Sequence, residues 1–121
     1  MNGIFSFDRA VFDELGAELG PADRAEVLNV FLADTADRVA RLEAGHLTCS
    51  ASKREVHSIK SSAATFGFMD LSRLAIEIES GVETMAPATL EDRVCGLRRV
   101  FESTRKFALE NLMNSDRGAM T

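Results

Sequence analysis

Apolar residues recur at intervals of three and four along almost the entire chain, and this spacing limits the fold more than any other feature. The clearest run comprises Leu71, Leu74, Ala75, Ile78, Val82 and Met85. An α-helix turns by roughly 100° per residue, so this spacing places the whole run on one face. No segment alternates with the period of two that a half-buried strand requires. The sequence therefore predicts an all-α protein.

Glycine and proline residues divide the periodic sequence into helices. The first helix is predicted from about Asp8 to Leu19, where Gly20 and Pro21 stop it. Pro21 also suits the first turn of a second helix, which we expect to run to about Glu43. The chain has only 2 prolines, so long helices are permitted.

A capping box formed by Ser52 and Glu55 predicts the start of the third helix, with Ser50 as a competing cap. This helix is expected to end at about Phe66, because Gly67 suits a left-handed C-terminal stop.

Two further capping signals predict the last two helices. Asp70 is expected to cap a fourth helix, which Pro87 ends. Thr89 and Asp92 resemble another capping box, opening a last helix that reaches Leu112. Four long helices joined by short turns favour an up-down-up-down antiparallel four-helix bundle, with a short extra N-terminal helix at one end.

The apolar stripes also predict which side chains face the core. Inward positions of the first two helices are Phe12, Leu15, Val27, Leu28, Phe31, Thr35, Val39 and Leu42. Those of the last helix are Val94, Leu97, Phe101, Ala108 and Leu112. We expect a single domain over residues 1–121, with a core from about 5 to 112 and a frayed tail, NSDRGAMT.

Charge and cysteine content exclude several classes of protein. The 121 residues carry a formal net charge of −5, which argues against nucleic-acid binding. Cys49 and Cys95 form neither a metal-ligand spacing nor a disulfide framework, and two free thiols in a reducing cytosol are expected. The sequence shows no signal peptide and no membrane-spanning run. We therefore expect a soluble cytoplasmic protein that binds no membrane.

The third helix has an unusual polar face. Its core stripe comprises Val56, Ile59, Ala63 and Phe66. His57 lies roughly 140° from the middle of that stripe and should face water. Within roughly 60° of it around the helix lie Lys53, Arg54, Lys60, Ser61 and Ala64.

This face suits phosphoryl chemistry. A neutral imidazole is a nucleophile near pH 7, and Lys60, one turn on, could neutralise phosphoryl oxygens. Lys53 and Arg54 would favour an acidic partner, while the small Ser61 and Ala64 would let it approach closely. The spacing alone leaves simpler interpretations open: an exposed histidine is often incidental, and small residues also serve helix packing. His46, near a predicted loop, is interpreted as surface.

The segment HSIKSSAATFG resembles the signature of histidine phosphotransfer (HPt) domains. The matching residues are His57, Lys60, Ser62, Ala63, Phe66 and Gly67. Ile59 stands for the usual leucine, and Ser61 replaces the usual glycine. The segments LNVFLADTADRVARLEAG and GFMDLSRLAIEIE resemble the preceding and following helices of the family, so that roughly residues 5 to 112 are covered.

The resemblance implies that His57 is a phosphoacceptor, that Lys60 stabilises the phosphoryl group, and that Ser62 and Gly67 are structural. Lys53, Arg54, Ser61, Ala64 and Phe68 would contact the partner, a response-regulator receiver domain or a hybrid histidine kinase. The receiver would supply Mg²⁺, so the chain itself would need no cofactor and no metal. We expect a monomeric phosphoryl carrier without kinase activity of its own.

Two other functions remain open from the sequence. A kinase dimerisation bundle also carries a phosphoacceptor histidine, but this chain has no glycine-rich phosphate loop, and Ser58 stands where those kinases usually have an acid. A non-catalytic helical adaptor that binds receiver or kinase partners is the second alternative.

Overall fold

A computed structural model describes residues 6–113, and five α-helices account for most of them. They are α1 (Arg9–Leu19), α2 (Pro21–Ala44), α3 (Cys49–Phe66), α4 (Met69–Gly81) and α5 (Pro87–Phe107). A π-helical segment, Ala108–Leu112, continues α5. The all-α prediction is confirmed, and no strand occurs among residues 6–113 beyond one isolated bridge between Phe7 and Phe68. The predicted frayed tail lies outside the described residues.

The four longer helices enclose the core. Each of α2, α3, α4 and α5 contacts its neighbour in the chain, and α5 also contacts α2, so these helices surround a common interior. Helix α1 packs on α2 and α3. The predicted inward residues of α5 and the π-helical segment are all buried. Buried residues of α2 are Leu28, Phe31, Leu32, Thr35, Val39 and Leu42.

One predicted core residue is wrong. Val27 is 39 % exposed, whereas Leu28 beside it is buried. Val27 lies roughly 90° from the middle of the buried stripe of α2, at the border between core and solvent. Periodicity alone did not separate this border position from the core.

The helix starts differ from three of the predicted caps. Thr48 caps α3 by accepting from Ala51 N at 3.0 Å, while Ser52 lies buried inside the helix. Asp70 lies in the first turn of α4 instead of capping it. Helix α5 starts at Pro87, so the Thr89–Asp92 pair lies within its first turns. Helix α4 ends at Gly81, six positions before the predicted proline stop.

The turn between α3 and α4 is tied to the N-terminal segment. Gly67 ends α3 with φ +88°, as predicted, and its carbonyl accepts from Asp8 N at 2.8 Å. A Cβ at Gly67 would lie 2.5 Å from the Asp8 carbonyl oxygen. Ser6 N donates to Asp70 at 2.6 Å, and Met69 N donates to Ser6 O at 3.2 Å. Glycine is required here both for its backbone conformation and for the close approach of residue 8.

None of the helices in the described part of the chain combines the length and apolar character needed to cross a membrane.

Candidate functional site

His57 projects from the middle of α3 into solvent. Its side chain is 56 % exposed, while Val56 beside it and Ile59 two positions on are completely buried. The helical period thus holds the backbone of this segment against the core and turns the imidazole outward. The predicted orientation of the histidine is confirmed.

A carboxylate from the next helix joins His57 and Lys60. Nδ1 of His57 lies 2.7 Å from Oε2 of Glu79, and Nζ of Lys60 donates to Oε1 of the same carboxylate at 3.0 Å. A carboxylate can only accept at neutral pH, so Nδ1 carries the hydrogen of this pair. In the neutral ring the other nitrogen, Nε2, then keeps its lone pair.

The surroundings of Glu79 keep it ionised. The hydrogen bond from Lys60, and then the one from His57, hold the pKa of the Glu79 carboxyl below its usual value. Its side chain is 20 % exposed, whereas that of Lys60 is 28 % exposed. The carboxylate therefore stays negatively charged and is held in place beside Nδ1 of His57.

Packing between α3 and α4 positions this carboxylate. Leu71, Ala75 and Ile78 of α4 are completely buried, which orients the helix about its axis. Ser72 Oγ donates to the Lys60 carbonyl at 3.0 Å and fixes the register of the two helices. Together these contacts place Glu79 opposite His57 and Lys60.

The other cations of the face are paired rather than free. Lys53 Nζ lies 3.5 Å from Glu83 Oε2, one turn beyond Glu79. Arg54 is exposed and donates to Ser50 Oγ at 3.1 Å. The positive charge of Lys60 and Lys53 is thus balanced by Glu79 of α4 and by Glu83 in the turn after it, whereas Arg54 meets only a hydroxyl.

The small residues of the face lie where the helical wheel placed them. Ser61 and Ala64 are exposed, and Ser62 is half-buried. The surface on the C-terminal side of His57 therefore carries no bulky side chain from α3 at these positions.

Phe68 does not belong to this surface, and its predicted place in the partner rim is wrong. It is 1 % exposed, and its ring packs against Phe7 and Phe31 at centroid distances of 5.6 and 5.7 Å. The turn after α3 folds this side chain inward, beneath the N-terminal segment. Phe68 offers no area to a partner.

Exposed apolar residues occur instead on α2. Val30 is 63 % exposed and lies three positions after the exposed Val27. Asp23 and Asp34, both exposed, bracket them at helical spacing, so the four residues form one stripe along α2. Arg38, one turn beyond Asp34, contacts Glu55 of α3 at 2.8 Å, so the stripe lies on the side of α2 that adjoins α3.

The arrangement can perform nucleophilic chemistry at Nε2. This nitrogen accepts no hydrogen bond within residues 6–113, and the ring that carries it is held by Glu79 through Nδ1. Lys60 is the nearest cation of α3 on the C-terminal side of the ring. No group of three or more metal-ligating side chains occurs in the described part of the chain.

Comparison with known proteins identifies one family. The family model described as "Hpt domain" matches residues 26–115, which comprises most of α2 and all of α3 to α5. Neither the curated proteins nor the solved structures contain a significant match to the chain. The matched range includes His57, Lys60 and Glu79, while α1 lies outside it.

Proposed function

This chain belongs to the Hpt domain family, which indicates a phosphotransfer role in a phosphorelay, and we propose on that premise that His57 is its phosphoacceptor. His57 would take the phosphoryl group from an aspartate of one receiver domain and pass it to another. The observation that supports this most is the exposed imidazole whose Nδ1–H is held by Glu79, since it leaves Nε2 as a nucleophile.

The transfer step follows from this geometry. The Nε2 lone pair attacks phosphorus, the bond between phosphorus and the aspartyl oxygen breaks, and its electron pair stays on the receiver carboxylate. Lys60 neutralises charge on the phosphoryl oxygens during the step. The Mg²⁺ that assists this chemistry belongs to the receiver. The reverse sequence of bond changes delivers the group to a second receiver.

Receiver docking would use the face formed by α2 and α3. We place α2 to α5 in an up-down-up-down antiparallel bundle, with α1 as the extra N-terminal helix of one monomeric domain. The exposed valines of the α2 stripe then supply the apolar contact that Phe68 cannot make. Ser61 and Ala64 leave room for receiver loops beside the histidine, and Lys53 and Arg54 border the same face.

The decisive experiment is labelling by phosphorylated receivers. A panel of receiver domains carrying aspartyl phosphate is mixed with the native protein, with His57→Gln and with His46→Gln as the matched histidine control. The native protein and His46→Gln should acquire an acid-labile, alkali-stable phosphate, and His57→Gln should acquire none while keeping its melting temperature. Labelling of His57→Gln, or no labelling of the native protein by any receiver it binds, would reject phosphotransfer and favour an adaptor.

A further inference from the structure

The contact between Glu79 and His57 has a consequence for the phosphorylated protein. Resting on the proposed function, we propose that Glu79 retains the Nδ1 proton on phosphorylated His57 and thereby sets how readily the phosphoryl group leaves. Glu79 is on this view a positioning residue, because it acts on the reacting nitrogen through the far side of the ring.

The geometry restricts Glu79 to this role. Its Oε2 lies 2.7 Å from Nδ1 and its Oε1 is held by Lys60 at 3.0 Å, so the carboxylate is fixed at both oxygens. Nδ1 is therefore already occupied, and a phosphoryl group can attach only at Nε2. Attachment there leaves the contact between Nδ1 and Glu79 on the other side of the ring in place.

The charges around the ring single out Glu79. From α3, Lys53, Arg54 and Lys60 face the histidine, and a positive charge disfavours a proton on the ring. On the opposite side, Glu83 in the turn after α4 pairs with Lys53, while Glu79 of α4 contacts the ring directly. Among the described residues, Glu79 is the only anion in contact with His57. It is therefore the group that can keep the proton on Nδ1 after phosphorylation.

Proton retention determines the quality of the leaving group. When the phosphoryl group departs from a ring that carries hydrogen on Nδ1, the P–Nε2 bond breaks and its electron pair returns to a neutral imidazole. Without that hydrogen the same step must release an imidazolate anion, which is a far poorer leaving group. In hydrolysis water forms the new P–O bond and releases its proton to solvent or phosphate. In transfer the receiver carboxylate forms that bond.

The test measures the lifetime of the phosphorylated protein without any receiver. Phosphoramidate, a small phosphoryl donor, loads native and Glu79→Gln proteins in a His46→Gln background, so that His57 is the only histidine. Phosphorus NMR identifies the modified nitrogen and follows its hydrolysis from pH 5 to pH 10. The midpoint of the pH profile should move down by about one unit in Glu79→Gln, so that hydrolysis at pH 8 slows by about tenfold.

Matched variants separate this role from others. Glu83→Gln, four positions on in the turn after α4, should leave the profile unchanged, and Glu79→Asp should give an intermediate midpoint. The shift caused by Glu79→Gln must persist in a Lys60→Met background. An unchanged or raised midpoint, or a shift that disappears without Lys60, would overturn the proposal. Because loading uses no receiver, failure of receivers to label His57 would reject the proposed function while leaving this test intact.

Discussion

The carboxylate of Glu79 on α4 lies 2.7 Å from Nδ1 of His57 on α3, although the two residues are 22 positions apart in the chain. The same carboxylate accepts from Lys60 at 3.0 Å. The histidine and the lysine are thus parts of a three-residue unit that spans two helices. Each substitution in this unit changes the environment of the other two members.

Replacing Lys60 tests whether its charge acts in the transition state. Lys60→Ala should lower the maximal rate of transfer from a phosphorylated receiver by at least about tenfold, with a much smaller change in receiver affinity. Rapid-quench measurements over a range of receiver concentrations separate the two quantities. Lys53→Ala is the matched control, because Lys53 lies one turn before His57 and pairs with Glu83. Equal losses of rate and affinity in Lys60→Ala would make the lysine a docking residue.

Enlarging Ser61 tests the need for a low surface. Ser61 is exposed one turn after His57, where the family signature has glycine. Ser61→Leu should raise the KM for a phosphorylated receiver by about tenfold through obstruction, and labelling by phosphoramidate should not change. Ser61→Gly should transfer at least as fast as the native protein. The control is Ala40→Leu on α2. This position lies roughly 200° around the helix from Arg38, which contacts α3, so it points away from the face that carries His57.

The helical fold could be predicted from the sequence because burial in a bundle repeats with the helical period. The spacing predicts Phe31, Val39 and Phe101 as core residues, and all three are buried. Helix starts are harder to predict, since several hydroxyl residues lie near the start of α3 and each could cap it. Thr48 is the residue that does so, one turn before the predicted Ser52, and the spacing of apolar residues does not distinguish these positions.

The sequence predicts only part of the candidate site. The outward direction of His57 follows from the wheel of one helix, whereas its contact with Glu79 depends on the register between two helices. The wheel of α4 does place Ser72 and Glu79 along one border of its apolar stripe, which is the one signal available. The prediction that Phe68 contacts a partner is wrong because its turn packs under the N-terminal segment. That contact joins residues far apart in the chain, and the local sequence does not indicate it.

Substitution of Gly67 tests the tie between the α3–α4 turn and the N-terminal segment. Gly67→Ala places a Cβ 2.5 Å from the Asp8 carbonyl oxygen at φ +88°. Gly45→Ala, at φ +75° with its nearest atom 4.0 Å away, is the matched control because it carries the conformational cost alone. Gly45→Ala should lose about 1 kcal/mol of unfolding free energy in urea, and Gly67→Ala at least about 2 kcal/mol. Equal losses of unfolding free energy in the two variants would show that the backbone at Asp8 moves away from the new Cβ without a measurable cost.

The ion pairs between α2 and α3 predict a pH-dependent stability. Glu55 accepts from Arg41 at 2.9 Å and from Arg38 at 2.8 Å, and these hydrogen bonds hold the pKa of its carboxyl below the usual value. A lowered pKa in the folded state stabilises the protein above the unfolded-state value, about 4.3, and this stabilisation is lost as the pH falls through the folded-state value.

Glu55→Gln should therefore lower the free energy of unfolding by about 1 kcal/mol at pH 7, and the difference from the native protein should disappear near pH 3. Urea unfolding of both proteins at pH 7, 5 and 3 measures this difference in the free energy of unfolding. Glu77→Gln is the control, because its pair with Arg93 spans 3.4 Å and both side chains are about half exposed. That substitution should change stability by less than about 0.5 kcal/mol at every pH. A Glu55→Gln deficit that persists at pH 3 would show that the glutamate acts by packing, not by its charge.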